Sequence, residues 1–174
     1  FGITLVGNHF SDRKLLSIAN RIQQTLALPM GALDLPQPRL NRSPASEQEY
    51  VDLLVCGAHL DGLVLNWQLL ERDAQLKEVT TTASAYRLYA LSDGIRPAMI
   101  RDDETGVAID VEIWTMPMAS LGSFVTAIPA PLGIGKVQVA DGRWLTGFIC
   151  EGVGISDATD ISHTGGWRQW LAQK

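Results

Sequence analysis

The chain has 174 residues, of which 46% are hydrophobic and 19% charged, and a net charge of −5; this suits one domain of ordinary size with an appended piece, and neither disorder nor membrane residence. No apolar run approaches the ~18 residues of a membrane span, so no membrane partner is expected. With no block of Lys or Arg, the acidic balance argues against nucleic acid and an anionic membrane surface and suits neutral or cationic partners, or a small ligand.

Ile3, Leu5 and Val6 predict a short strand. Ser11 or Asp12 can then cap a helix carrying Leu15, Leu16, Ile18, Ala19, Ile22 and Leu26 at helical spacing. One strand and one helix cannot bury each other, so residues 1–28 must dock on the main body, a partner chain or a domain outside this chain. The chain opens inside a structured pattern, with no basic leader or cleavage-site pattern, which reads as a cytoplasmic fragment of something longer. Residues 29–50, with Pro29, Pro36, Pro38 and Pro44, read as a linker, and 51–174 as the main domain.

The main domain is organised around Leu53-Leu54-Val55-Cys56-Gly57-Ala58-His59-Leu60, an apolar run that stops at a glycine and then presents a histidine. It predicts a buried strand feeding a tight loop, whose backbone N–H groups can face a ligand. Leu65–Glu71 suggests a short helix with Asn66 near its first turn. Leu76–Thr82 and Tyr86–Leu91 have strand composition, and the second puts Tyr86 and Tyr89 on opposite faces. Met99–Arg101 and Val107–Trp114 predict two more strands around a polar hairpin loop, Asp102–Gly106. Pro117 suits the first turn of a helix bearing Leu121, Phe124, Val125 and Ile128. Ile134–Ala140 and Arg143–Glu151 flank Asp141-Gly142, a strong hairpin signal. A short tail helix, Gly165–Leu171, is expected to pack Trp167 and Trp170 on the sheet. About seven strands, mostly joined as hairpins, with a few short helices predict an α+β fold built on a curled mixed or antiparallel sheet, or a small barrel.

Cys56 and Cys150 each lie in an apolar run, as structural thiols do, and nothing supports a disulfide between them. The Cys and His residues lack ligand spacing, so no metal and no cofactor is expected. Lys136 invites a phosphate-loop reading, but Gly133-Ile134-Gly135-Lys136 has neither the spacing nor the following Ser or Thr. Glu112, beside Trp114, is expected either exposed on the outer face or paired with Arg101 or Arg87. His9 and His163 have no evident role.

Leu54–Leu60, Leu65-Asn66, Tyr86–Leu91, Ile128-Pro129-Ala130-Pro131-Leu132-Gly133-Ile134-Gly135, and Asp141-Gly142-Arg143 with Gly147–Glu151 together resemble the C-terminal domain of allophanate hydrolase, over roughly residues 51–172. The leading residues look like the closing strand and helix of that family's preceding amidase domain, whose catalytic Ser, Ser and Lys are absent from this sequence. The resemblance implies a γ-glutamylcyclotransferase-like fold, a role in urea degradation beside an amidase domain on the same polypeptide, and decarboxylation of N-carboxycarbamate, a small anionic substrate. It also leaves open a non-catalytic domain that orients or oligomerises the amidase. Cyclotransferases use a glutamate where this chain has Phe124–Ile128, so cyclotransferase activity is not expected. Val111 stands where a glycine would fit the pattern. The implied site has His59 as proton carrier, the backbone of Gly57, Ala58 and Leu60 holding a carboxylate, and Asn66 with Tyr86 or Tyr89 as further donors. Asn66 has a rival role as a helix cap, and each tyrosine as core packing.

Overall fold

A computed structural model describes residues 3–7, 12–29, 35 and 49–174. The chain divides into two units, Phe1–Ala45 and Ser46–Lys174.

The first unit is built on helix α1 (Asp12–Leu26), opened by Asp12, whose charge complements the helix N-terminus. Ala27, at φ 49°, ends it. Leu16, Ile18 and Leu26 on this helix stay exposed. Residues 3–7 are not the expected strand: a strand forms only when a neighbour takes up its backbone groups, and no described residue does so here. Most of the predicted linker lies outside the described residues.

The second unit forms around β1 (Tyr50–Val55), which has neighbours on both sides. That central place explains the unbroken apolar run: Leu53, Leu54 and Val55 are all fully buried, whichever face they point to. The five-stranded sheet runs β2 (Gln75–Thr81), β5 (Asp110–Pro117), β1, β7 (Trp144–Cys150), β6 (Leu132–Gln138). All pairings are antiparallel except β1 with β7. The β6–β7 hairpin turns at Asp141-Gly142 as expected, with Gly142 at φ 93°. The sheet curls until its two edges touch at a single bridge, Thr82 to Val139, so it stays an open mixed sheet and not the barrel also allowed by the sequence.

A second sheet holds β4 (Pro97–Arg101), β3 (Tyr86–Ala90) and the two-residue β8 (Thr159–Asp160). Its existence corrects one expectation. Asp102–Gly106 does not join a hairpin, because β4 pairs with β3 while β5 pairs with β1 and β2. Val107, before β5, bonds to the second sheet, its N–H donating to Tyr86 O at 2.8 Å, whereas Ile109 O already accepts from Thr82 N–H at 2.8 Å, next to the end of β2. The loop thus carries the chain from one sheet to the other, and β5 starts only at Asp110.

Three short α-helices and two 3-10 turns, Gly152–Ile155 and Ser162–Thr164, complete the unit; the α-helices are α2 (Trp67–Leu70), α3 (Met118–Thr126), for which Pro117 is the N-cap and not a first-turn residue, and α4 (Trp167–Leu171). Trp167 is buried in the main core as expected, and Trp170 packs against it with ring centroids 4.6 Å apart.

Candidate functional site

After β1 the chain enters a loop that folds on itself. Leu60 N–H donates to Gly57 O and Leu65 N–H to Ala58 O, both at 2.9 Å, while Asn66 Nδ2 donates to His59 O at 3.0 Å. The N–H groups of Ala58 and His59 keep no partner among the described residues. Gly57 is required by a close approach: a Cβ there would lie 1.9 Å from Pro97 Cγ on β4. The loop is therefore seated against the second sheet.

The space beside it is a cavity of about 180 Å³, lined by Gly57, Ala58, His59, Gln68, Phe124 and Phe148 with other, mostly apolar, residues. The His59 ring stacks on Phe148 at a centroid distance of 5.1 Å and 23° between planes, and meets Phe124 edge-on at 5.2 Å. Its Nε2 is 3.0 Å from Gln68 Oε1. With Nε2–H donating to that oxygen, Nδ1 of the neutral ring is left as an acceptor. Burial lowers the pKa of His59, and the Gln68 bond offsets part of that effect, so the ring is neutral at pH 7.

Arg96 is the one charged residue in the cavity lining, among the described residues, and no Asp or Glu joins it there. Its guanidinium pairs with Asp93 and donates to Ala130 O at 3.3 Å. Burial works against the charge on Asp93, but the N–H of Ile95, the Arg96 side chain and the Arg96 N–H outweigh it and lower that pKa. Asp93 and Ala130 O thus hold the Arg96 guanidinium at the cavity wall. Cys56 also lines the cavity, and burial pushes its thiol up to about 12, so it takes no part as a thiolate. Among the described residues no cluster of His, Cys, Asp and Glu could hold a metal ion.

Of the residues expected at the site, Gly57, Ala58 and His59 come together. Leu60 does not join them: its side chain is buried in the core and its N–H is spent on Gly57 O. Asn66 is buried and makes no side-chain cap bond; it holds the His59 carbonyl instead, outside the cavity lining. Tyr86 is buried to 1% exposure and its hydroxyl accepts from Gln138 N–H at 2.7 Å. Tyr89 packs beside the smaller core of Leu91, Ala98 and Cys150. Neither tyrosine lines the cavity.

Gln68, Arg96 and Phe148 were not expected there as site residues. Phe148 could have been suspected from the Gly147-Phe148 segment, but Gln68 and Arg96 carry no motif. Glu112 is buried, and its partner is neither Arg87, which pairs with Asp160, nor Arg101, which pairs with Asp103, but Arg168. Register decides this: Glu112 sits opposite Val55 at the end of β1, beneath the loop and beside α4.

Residues 51–172 match the family described as allophanate hydrolase C-terminal domain. The urea amidolyase of Saccharomyces cerevisiae is 36% identical over 98% of the chain, which spans only 10% of that protein. The structure of Kluyveromyces lactis allophanate hydrolase aligns at 32% identity over 96% of the chain and 30% of its own length, with a TM-score of 0.70. A uropathogenic E. coli-specific protein aligns at 32% identity over 72% of the chain and 98% of its own length, with a TM-score of 0.68.

Proposed function

Because the chain belongs to the allophanate hydrolase C-terminal domain family, we propose that it serves urea degradation in the cytoplasm, on a polypeptide that also carries an amidase domain, and decarboxylates the N-carboxycarbamate which that domain produces. His59 carries the proposal, as a neutral imidazole stacked on Phe148 and edge-on to Phe124 in a small cavity, beside two loop N–H groups that have no partner among the described residues.

The chemistry follows from that setting. A carboxylate that enters an apolar cavity loses hydration, which favours its conversion to neutral CO₂. The C–N bond breaks, its electron pair stays on nitrogen, CO₂ leaves, and the nitrogen takes a proton to become carbamate. His59 supplies the proton. It is neutral in the free cavity, and the charge of the bound dianion raises its proton affinity, so the ring takes up a proton on binding and returns it to the nitrogen. The Ala58 and His59 N–H groups hold the carboxylate that is retained, and Arg96 favours an anion over a neutral ligand.

The test is CO₂ release with a separate amidase domain supplying fresh N-carboxycarbamate. The wild-type chain is expected to exceed the spontaneous rate and His59→Ala to fall back to it; equal rates for the two would overturn the proposal. The exposed Leu16, Ile18 and Leu26 of α1 favour a second reading, in which the chain orients or oligomerises the amidase. Sedimentation and amidase activity of the full-length enzyme with and without this domain separate the two, since an unchanged assembly state together with unchanged amidase activity removes the second. The absence of any Asp or Glu from the described cavity lining speaks against cyclotransferase activity.

A further inference from the structure

We propose that the Glu112–Arg168 ion pair is a positioning device for the His59 loop, acting by gripping both backbone groups of Asp61. It rests on the reading of that loop as the binding site. Glu112 Oε2 accepts from Asp61 N–H at 2.7 Å and from Trp114 Nε1 at 3.0 Å. Glu112 Oε1 accepts from Arg168 Nη2 at 2.9 Å, and the same nitrogen donates to Asp61 O at 2.6 Å. The two successive peptide groups that flank the Asp61 Cα are therefore held by two oppositely charged side chains that also hold each other.

Burial makes this more than an incidental pair. The Glu112 side chain is 6% exposed, and a carboxylate so placed costs stability unless its oxygens are all matched. An apolar residue of similar size would serve the core as well. It could not hold Asp61. Asn66 fixes the carbonyl of His59 itself, and the ion pair fixes the residue two positions on, just before Gly62 turns the chain away at φ 70°. His59 is thus bracketed on its C-terminal side. The guanidinium comes from α4, near the end of the chain, so the seat of the loop depends on the last helix being docked, which buried Trp167 ensures. Neither Glu112 nor Arg168 lines the His59 cavity; they act through the backbone of the loop.

The experiment compares the 174-residue chain with Arg168→Ala, Arg168→Lys and Glu112→Gln, reading amide hydrogen exchange at residues 58–61 and calorimetric binding of malonate, a stable analogue of N-carboxycarbamate. Arg168 is 45% exposed in its side chain, so its alanine variant should fold, and unchanged exchange at Leu54 checks this. Exchange of the Asp61 amide is expected to quicken by about tenfold or more, because its hydrogen bond is to a charged group whose own anchor is lost. Malonate binding is expected to weaken by about tenfold through misplacement of the loop. Arg168→Lys, which keeps the positive charge and one donor nitrogen, should recover part of both. Folded variants with wild-type exchange at Asp61 would overturn the proposal. If the wild type fails to bind malonate while the variants still loosen the loop, the positioning role stands and the functional reading falls.

Discussion

Replacing Gly57 by alanine tests the seating of the loop on β4. The added Cβ would lie 1.9 Å from Pro97 Cγ and 2.9 Å from Pro97 Cδ, whereas carbon atoms pack at about 3.5–4.0 Å. One side must retreat by about 1.6 Å or more. The Pro97 ring cannot swing aside, because it is part of the backbone of β4, where it pairs with Ala90 and precedes the fully buried Ala98. Overpacking of this kind costs about 1–3 kcal/mol. The loss should appear as a lower urea midpoint with an unchanged slope. The same shift displaces the neighbouring Arg96 and the loop, so malonate binding should weaken too. Gly133→Ala is the control: a Cβ there meets nothing within 4 Å, and its effect should lie within about 0.5 kcal/mol of zero or be stabilising. A Gly57→Ala protein as stable as the control, with full malonate affinity, would refute the close approach as the reason for glycine.

Three further outcomes follow from the same cavity. Gln68→Ala should lower the pKa of His59 further, since the Gln68 bond is what partly offsets burial; an unchanged NMR titration of the ring would contradict this. The folded pKa of His59 lies below its unfolded value of 6.5, so its contribution to stability is complete above about pH 6.5 and is lost as pH falls through the folded value. His59→Leu should accordingly show a smaller drop in urea midpoint than wild type between about pH 8 and about pH 5.5. A Cys56 thiol pushed up to about 12 should resist iodoacetamide in the folded chain and react only on denaturation; rapid labelling of the native protein would argue against the packing described.

Local chemistry made much of the fold legible. The run Leu53–Cys56 bounded by Gly57 announces a central strand because both its faces are apolar, and Asp141-Gly142 announces its hairpin because Gly142 readily takes the positive φ of the turn. What the sequence leaves open is choice of partner. Asp102–Gly106 has the composition of a hairpin loop, but the alternative pairing of β4 with β3 is decided by contacts remote in sequence. Residues 3–7 have a strand's composition and no described neighbour to make them one. The site divides the same way. His59 stands out because a histidine just past a buried strand end is a local feature, whereas Gln68, Phe148 and Arg96 reach it from three other segments. Alternation places Tyr86 and Tyr89 on opposite faces of β3, but it does not tell which face sees a cavity, and neither does. Likewise nothing near Glu112 points to an arginine 56 positions away.

The most direct test follows the His59 ring by ¹⁵N NMR while malonate is added at pH 7. The ring should begin neutral, with Nε2 protonated toward Gln68, and both nitrogens should move to imidazolium shifts as the dianion binds, with uptake of one proton per His59. Saturable binding that leaves the ring neutral, or no binding at all, would contradict His59 as the proton carrier of this cavity.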